Sequence, residues 1–310
     1  MMGGKKPSGA AKRKKKKEKE DAIERKREET ERLKLGPTAL WTGLVLHHKD
    51  IFVSHVMPKL NGTDRYFFAE ANSDGENLLE YAGVDVLKMR WFVDECSSIS
   101  TLELAWNSWE WRKKDEHGNV NDQARFCWQV ALSNKLELLK WTREVKKCEW
   151  DKRTISVAAN VGNLEMLKYC FANDCPYDET TACPVAAGEG HLDCLRFLFE
   201  KVKPSRETEK EAAQAAAQEG HLDILKYCIE EKKITECLEG CVGSASEQGE
   251  LITLKYLVEE AKAPLNNVDF VSAARFGEHY ECENYLLEKG AAEPTDQEYE
   301  DCVRRIASQE

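Results

Sequence analysis

The stretch Ala186-Ala187-Gly188-Glu189-Gly190-His191-Leu192-Asp193-Cys194-Leu195-Arg196-Phe197-Leu198 decides the fold of this 310-residue chain. It returns as Ala216-Ala217-Gln218-Glu219-Gly220-His221-Leu222-Asp223-Ile224-Leu225-Lys226-Tyr227. Outward from these two copies, rings stand at Trp141, Tyr169, Phe197, Tyr227, Tyr256 and Tyr285, with successive gaps of 28, 28, 30, 29 and 29 residues. Five positions before each ring lies Leu136, Leu164, Leu192, Leu222, Leu251 or Tyr280. Nine positions before each of those lies Cys127, Ile155, Cys183, Ala213, Val242 or Val271. A period in this range marks one small supersecondary unit copied in tandem. The reading is an all-α solenoid of six helix pairs over residues 123–294.

Each copy reads as a first helix with small residues, a tight turn, a second helix and a loop. Ala158/Ala159, Ala186/Ala187, Ala216/Ala217 and Ala273/Ala274 let neighbouring helices lie close. Gly162, Gly190, Gly220, Gly249 and Gly277 fall at the turn, where a left-handed backbone ends a helix without strain. Thr208 with Glu211 reads as a capping box for the fourth copy. Pro176, Pro204 and Pro264 follow second helices, and Pro184 reads as lying near the start of a first helix. Residues 295–310 read as a closing cap helix.

The units Ala-Ala-x-x-Gly-His-Leu-x-x-Leu-x-Tyr/Phe-Leu resemble ankyrin repeats, more narrowly the degenerate kind found in many copies in protists and large viruses. The Thr-Pro-Leu-His opening is missing from every copy, and the units are shorter than the usual ~33 residues. Short loops are therefore expected in place of extended β-fingers. The resemblance implies a non-enzymatic scaffold that binds another protein through its concave face and loop tips. The matching positions are Trp150, Asp151, Lys152, Arg153, Tyr177, Asp178, Glu179, Ser205, Arg206 and Glu207. Trp150 and Tyr177 are the expected anchors, because aromatics carry much interface energy.

Residues 37–122 read as a Trp-rich helical cap that covers the open apolar end of the first copy. All eight tryptophans lie between Trp41 and Trp150, and Trp106, Trp109 and Trp111 cluster. Within this region, residues 50–82 show an apolar helical face (Ile51, Val53, Val56, Met57, Leu60), a break at Asn61-Gly62 with Thr63 or Asp64 as cap, and a second face from Tyr66, Phe67 and Phe68. This pattern resembles the F-box, although the Leu-Pro start and the Trp near the end are missing. The resemblance implies an adaptor that captures a Skp-like subunit of a ubiquitin ligase.

The net charge of −11 hides a split. Residues 1–34 carry 14 Lys/Arg against 7 Asp/Glu, so the remainder carries 31 against 49, or −18. The body repels nucleic-acid phosphate and favours a basic partner segment. Residues 1–36 form a charged basic tail too poor in apolar side chains to fold alone. Its run Lys12-Arg13-Lys14-Lys15-Lys16-Lys17 suits nuclear import or nucleic-acid contact. No segment is apolar enough for a membrane span, and the N-terminus lacks a signal-peptide core. The expected place is intracellular: cytoplasmic, or nuclear through the basic run.

The 12 cysteines contain no C-x-x-C pair, and several share repeat columns, as Cys170/Cys228 and Cys194/Cys282 do. Packed, reduced thiols are the reading, with no metal. His191, His221 and His279 share the turn column, which suits hydrogen bonding there. His47, His48 and His55 lack partners at ligand spacing. No nucleophile elbow, Walker or dinucleotide motif occurs. Neither catalytic residue nor cofactor is expected.

Overall fold

The computed structural model describes residues 49–71, 78–84, 90–111, 113–114, 118 and 120–308. The basic run Lys12–Lys17, the rest of residues 1–36, Trp41, His47 and His48 lie outside the described residues. The chain divides into two compact units, Met1–Trp91 and Phe92–Glu310.

In the first unit a helical run changes pitch twice. Lys49–Ile51 is α, Phe52–Val56 is π, and Met57–Lys59 is 3-10. Pro58 has no N–H to return to the carbonyl of Ser54, so an α ladder cannot pass through it. The changed pitch turns Phe52 and Met57 inward and leaves Ile51 54% exposed. The sequence had placed Ile51 on the apolar face. Helix α1 (Gly62–Ala71) starts from Asn61, whose Oδ1 accepts from the Asp64 N–H at 2.8 Å, so Asn61 caps it rather than Thr63 or Asp64. Phe68 stacks on Phe52 at 5.2 Å, and Leu78 and Leu79 complete a small core.

The second unit opens with helix α2 (Ile99–Ser108), capped by a reciprocal Ser98/Thr101 box. Six helix pairs follow. They are α3 (Gln123–Leu132) with α4 (Leu136–Glu144), α5 (Lys152–Asn160) with α6 (Leu164–Ala172), and α7 (Glu179–Gly188) with α8 (Leu192–Val202). Next come α9 (Arg206–Gln218) with α10 (Leu222–Lys226, continued by a π turn Tyr227–Glu231), α11 (Leu238–Gln248) with α12 (Leu251–Glu259), and α13 (Asp269–Phe276) with α14 (Tyr280–Glu288). Helix α15 (Asp296–Ala307) closes the row on a Thr295/Glu298 capping box. The described residues hold no strand, only an isolated bridge between Lys114 and Val120. The fold is an all-α solenoid.

First helices lie side by side from α3 to α15 and approach one another more closely than second helices do. Paired small residues cause this: Ala158/Ala159, Ala186/Ala187, Ala216/Ala217, Ala245/Ser246 and Ala273/Ala274 are all buried. At the open end Trp106, Trp109 and Trp111 surround the Phe126 ring of α3, with centroids 5.1, 5.2 and 5.9 Å away. This is the tryptophan cap. Trp109 lies just past α2 in extended backbone, and both it and Trp106 reach the Phe126 ring.

Three local readings change. The cap of α9 is Ser205, whose Oγ accepts from the Thr208 N–H; Thr208 therefore stands one turn inside, and no Thr208/Glu211 box forms. Pro184 sits inside α7, not at its start. Gly277 keeps φ −75°, and Glu278 takes the left-handed turn at φ 60°. Gly277 instead serves close approach, since a Cβ there would come within 2.6 Å of the His279 ring.

The remaining turns interlock. Gly162 (φ 68°) faces the ring of His191 in the next copy, and an added Cβ would lie 2.5 Å from it. Gly190 faces His221 and Gly249 faces His279 in the same way, while Gly220 faces the Glu250 carboxylate. His191 Nε2 donates to the Asn160 carbonyl and His221 Nε2 to the Gly188 carbonyl, each at 2.9 Å. In the first turn Asn134 (φ 58°) replaces glycine and accepts from Asn163 Nδ2 at 2.7 Å. Gly162→Ala should cost about 2 kcal/mol or more, because backbone strain adds to the collision. In a His191→Ala background the same change should cost only about 1 kcal/mol. Urea unfolding of the two single variants and the double variant measures this, and equal costs in both backgrounds would refute the interlock.

Candidate functional site

Two edges of the array carry polar side chains in register. The first edge is the loop tips, where first helices begin. Asp122, Asp151 and Asp178 cap α3, α5 and α7, accepting from the N–H groups of Arg125, Arg153 and Thr180 at 2.7, 3.0 and 3.2 Å. A carboxylate at a helix N-terminus satisfies an orphan donor and meets the positive end of the dipole.

Side chains of one tip reach the next. Lys152 Nζ donates to Asp178 at 2.7 Å, and this bond, aided by Thr180, holds the Asp178 carboxyl below its usual range. Glu179 accepts from the Ser205 N–H at 3.4 Å. Arg206 donates to Glu236 at 2.7 Å, to the Lys233 carbonyl at 2.6 Å and to Glu209 at 2.8 Å. Arg153 is forked onto Asp151 and lies 4.0 Å from Asp122. Glu207 pairs with Lys210 inside α9.

The two expected anchors differ. The Trp150 ring lies beneath the Arg143 guanidinium at 4.0 Å and against Tyr169 at 6.1 Å, so it is engaged inside the array. Tyr177 is 49% exposed and rests on Phe171 at 5.3 Å. Phe171 in turn meets Phe197 edge-on at 5.6 Å. Tyr177 is thus an exposed ring on an ordered support.

The second edge is the row of second helices. The tyrosine of one copy donates its hydroxyl to a glutamate of the copy before: Tyr169 to Glu144 at 3.1 Å, Tyr256 to Glu230 at 2.9 Å, Tyr285 to Glu259 at 3.2 Å. The base just before one ring lies over the next ring. Lys140 is 5.6 Å from the Tyr169 centroid, Arg196 4.1 Å from Tyr227, and Lys226 4.9 Å from Tyr256. Arg196 also forks onto Glu231 at 2.6 and 2.9 Å. Composition hides this ladder, because Glu and Lys are abundant everywhere. The signal lay in their fixed offset from the ring column.

All twelve cysteines are unpaired and buried. Burial pushes the Cys194 thiol up to about 11 and the Cys183 and Cys228 thiols up to about 12, which keeps them protonated and poorly nucleophilic. Among the described residues no cluster of three or more His, Cys, Asp or Glu has metal-binding geometry. No helix among them is long and apolar enough to cross a membrane.

A family model described as ankyrin repeats, in three copies, matches residues 154–239. Residues 154–239 are ankyrin repeats. No curated protein matches the sequence. The matched span covers α5 through α10 and enters α11, and it includes the Gly162–His191 and Gly190–His221 interlocks. Ankyrin repeats are a protein–protein interaction module, typically without enzymatic activity.

The tyrosine–glutamate ladder has a pH signature. Burial, the largest cause, and then Glu144 push the Tyr169 phenol up to about 12; burial and then Glu259 do the same for Tyr285. Burial is the largest cause that raises Tyr227 to about 12, opposed by Arg196 and helped by Cys228, Glu231 and Glu200. Unfolded tyrosine ionises near ~10. The folded state thus prefers the neutral phenol, and its stabilisation is full below about pH 10 and lost between about 10 and 12. Urea midpoints should fall over that window, and fall less when Tyr169 and Tyr285 are both replaced by Phe. An identical fall in that double variant would contradict the ladder.

Proposed function

We propose that the array acts as a non-enzymatic scaffold that holds a partner protein across its loop tips and first-helix face. The observation that carries this is Tyr177. A half-exposed ring already ordered on Phe171 offers apolar area with little rotamer entropy left to lose. Asp151, Arg153, Asp178, Glu179, Arg206 and Glu207 supply charge along the same loop-tip edge, and Arg153, Asp178, Glu179 and Arg206 are steadied by contacts to a neighbouring copy. Trp150 supports this face from beneath rather than standing out from it. The charge of −18 on residues 35–310 favours a partner segment rich in Lys and Arg.

A photoreactive phenylalanine analogue, placed singly in the full chain, tests the reading. At position 177 or 207 it should yield discrete cross-linked protein adducts in cells. At position 255, on the second-helix edge, it should yield few. Equal adducts at all three positions, or adducts only at 255, would contradict the assignment of the face.

A further inference from the structure

One groove in the array differs from the rest of the first-helix face. It lies between α11, α13 and the closing helix α15, encloses about 360 Å³, and is lined by Glu239, Gly243, Glu247, Phe270, Ala273 and Ile306. Its floor exists because α11 carries two glycines. The columns of Gly240 and Gly243 hold Arg125, Arg153, Thr181, Glu211 and Asp269, and Trp128, Ser156, Pro184, Gln214 and Ser272, in the other copies. Glycine inside a helix is unfavourable by about 1 kcal/mol relative to alanine. At Gly240 the absent Cβ leaves room for the Gln214 amide. At Gly243 an added Cβ would meet only the Phe270 ring, at 3.8 Å. Packing does not require that glycine; what it leaves is open space above an aromatic edge.

The charges around the groove are unbalanced. Its single cation, Arg305, is paired with Asp269 at 2.7 Å. Glu239 and Glu247 meet no cation among the described residues, although Glu247 is half-buried. On the loop-tip edge, by contrast, Asp178 is matched by Lys152 and Glu236 by Arg206. Glu239, Gly243 and Glu247 are spaced four residues apart, so they share a helix face, with the two carboxylates about 12 Å apart along the axis. An extended chain covers about 13 Å in four residues, with alternate side chains on one side.

We propose that this groove binds an extended peptide segment of the form basic-x-apolar-x-basic. The two cations pair with Glu239 and Glu247, and the middle apolar side chain enters over Gly243 against Phe270, Ala273 and Ile306. The proposal rests on the scaffold reading above and names the chemistry of its partner.

The test is an amide NMR titration of the full chain with the peptide Arg-Ala-Leu-Ala-Arg, acetylated and amidated. Saturable shifts are expected at residues 239–247, 270–273 and 302–306. Replacing the peptide's Leu by Ser, or both Arg by Glu, should weaken binding about tenfold or more. Glu247→Gln in the protein should weaken it about fivefold. Gly243→Leu should abolish it, while Gly243→Ala should fold at least as stably as the parent. Should Gly243→Leu fail to fold, the surface change Glu247→Gln still decides the matter. Equal binding of the Leu and Ser peptides, or no saturable shift in the groove, would overturn the proposal. Saturable shifts at 150–153 or 177–179 instead would also overturn it, while leaving the broader scaffold reading intact.

Discussion

The array depends on one contact made at the turns of the second to fifth copies: the bare α-carbon of one copy receives a polar side chain from the next. Gly162, Gly190 and Gly249 combine a left-handed backbone with a face open enough for an imidazole ring. Each requirement selects glycine, and together they admit little else. Where the Nε2–H of His191 or His221 then reaches a carbonyl of the preceding turn, that carbonyl gains a partner it would lack at a helix end. The neighbour relation is thereby written into the turn. Small residues bring first helices together, but they specify no register along the helix axis. The ring in its socket does.

Nearest-neighbour coupling explains why both ends of the row are atypical. The first copy has no preceding turn to receive a ring, so its column holds Lys135, whose Nζ donates to the Cys96 carbonyl at 3.1 Å. Trp106, Trp109 and Trp111 then cover Phe126, the apolar end that a preceding copy would have buried. At the other end α15 covers α13 with Cys302 and ties to it through Arg305 and Asp269.

The helix pairs were legible because the alanine column and the column of Cys127, Ile155, Cys183, Ala213, Val242 and Val271 are buried in copy after copy, and burial is what periodicity reports. Local closures were less legible. Every second helix ends on a left-handed residue, yet these are Lys147, Asp174, Lys203, Lys233, Lys262 and Gly290. Lysine carries no turn signal; at Lys147, Lys233 and Lys262 the next residue is buried and its N–H bonds back into the helix, as Cys148 does to Thr142 and Ile234 to Cys228, both at 3.1 Å. Gly277 misled for the opposite reason, since glycine also marks close approach, and Glu278 makes the turn. The loop-tip residues stand where first helices begin, but Asp151 and Asp178 cap helices and Trp150 is covered by Arg143. Sequence position cannot separate a side chain that faces a partner from one that faces the next repeat. The paired glycines of α11 were the overlooked signal, because neither lies at a turn.

Hydrogen exchange on the His221→Ala variant tests the coupling most directly. Loss of that ring should deprotect the amides around Gly188–Gly190 and Gly220–His221, leaving α3, α4 and α14 as protected as in the parent chain. Uniform deprotection of the whole array, or none at either turn, would contradict a row held together neighbour by neighbour.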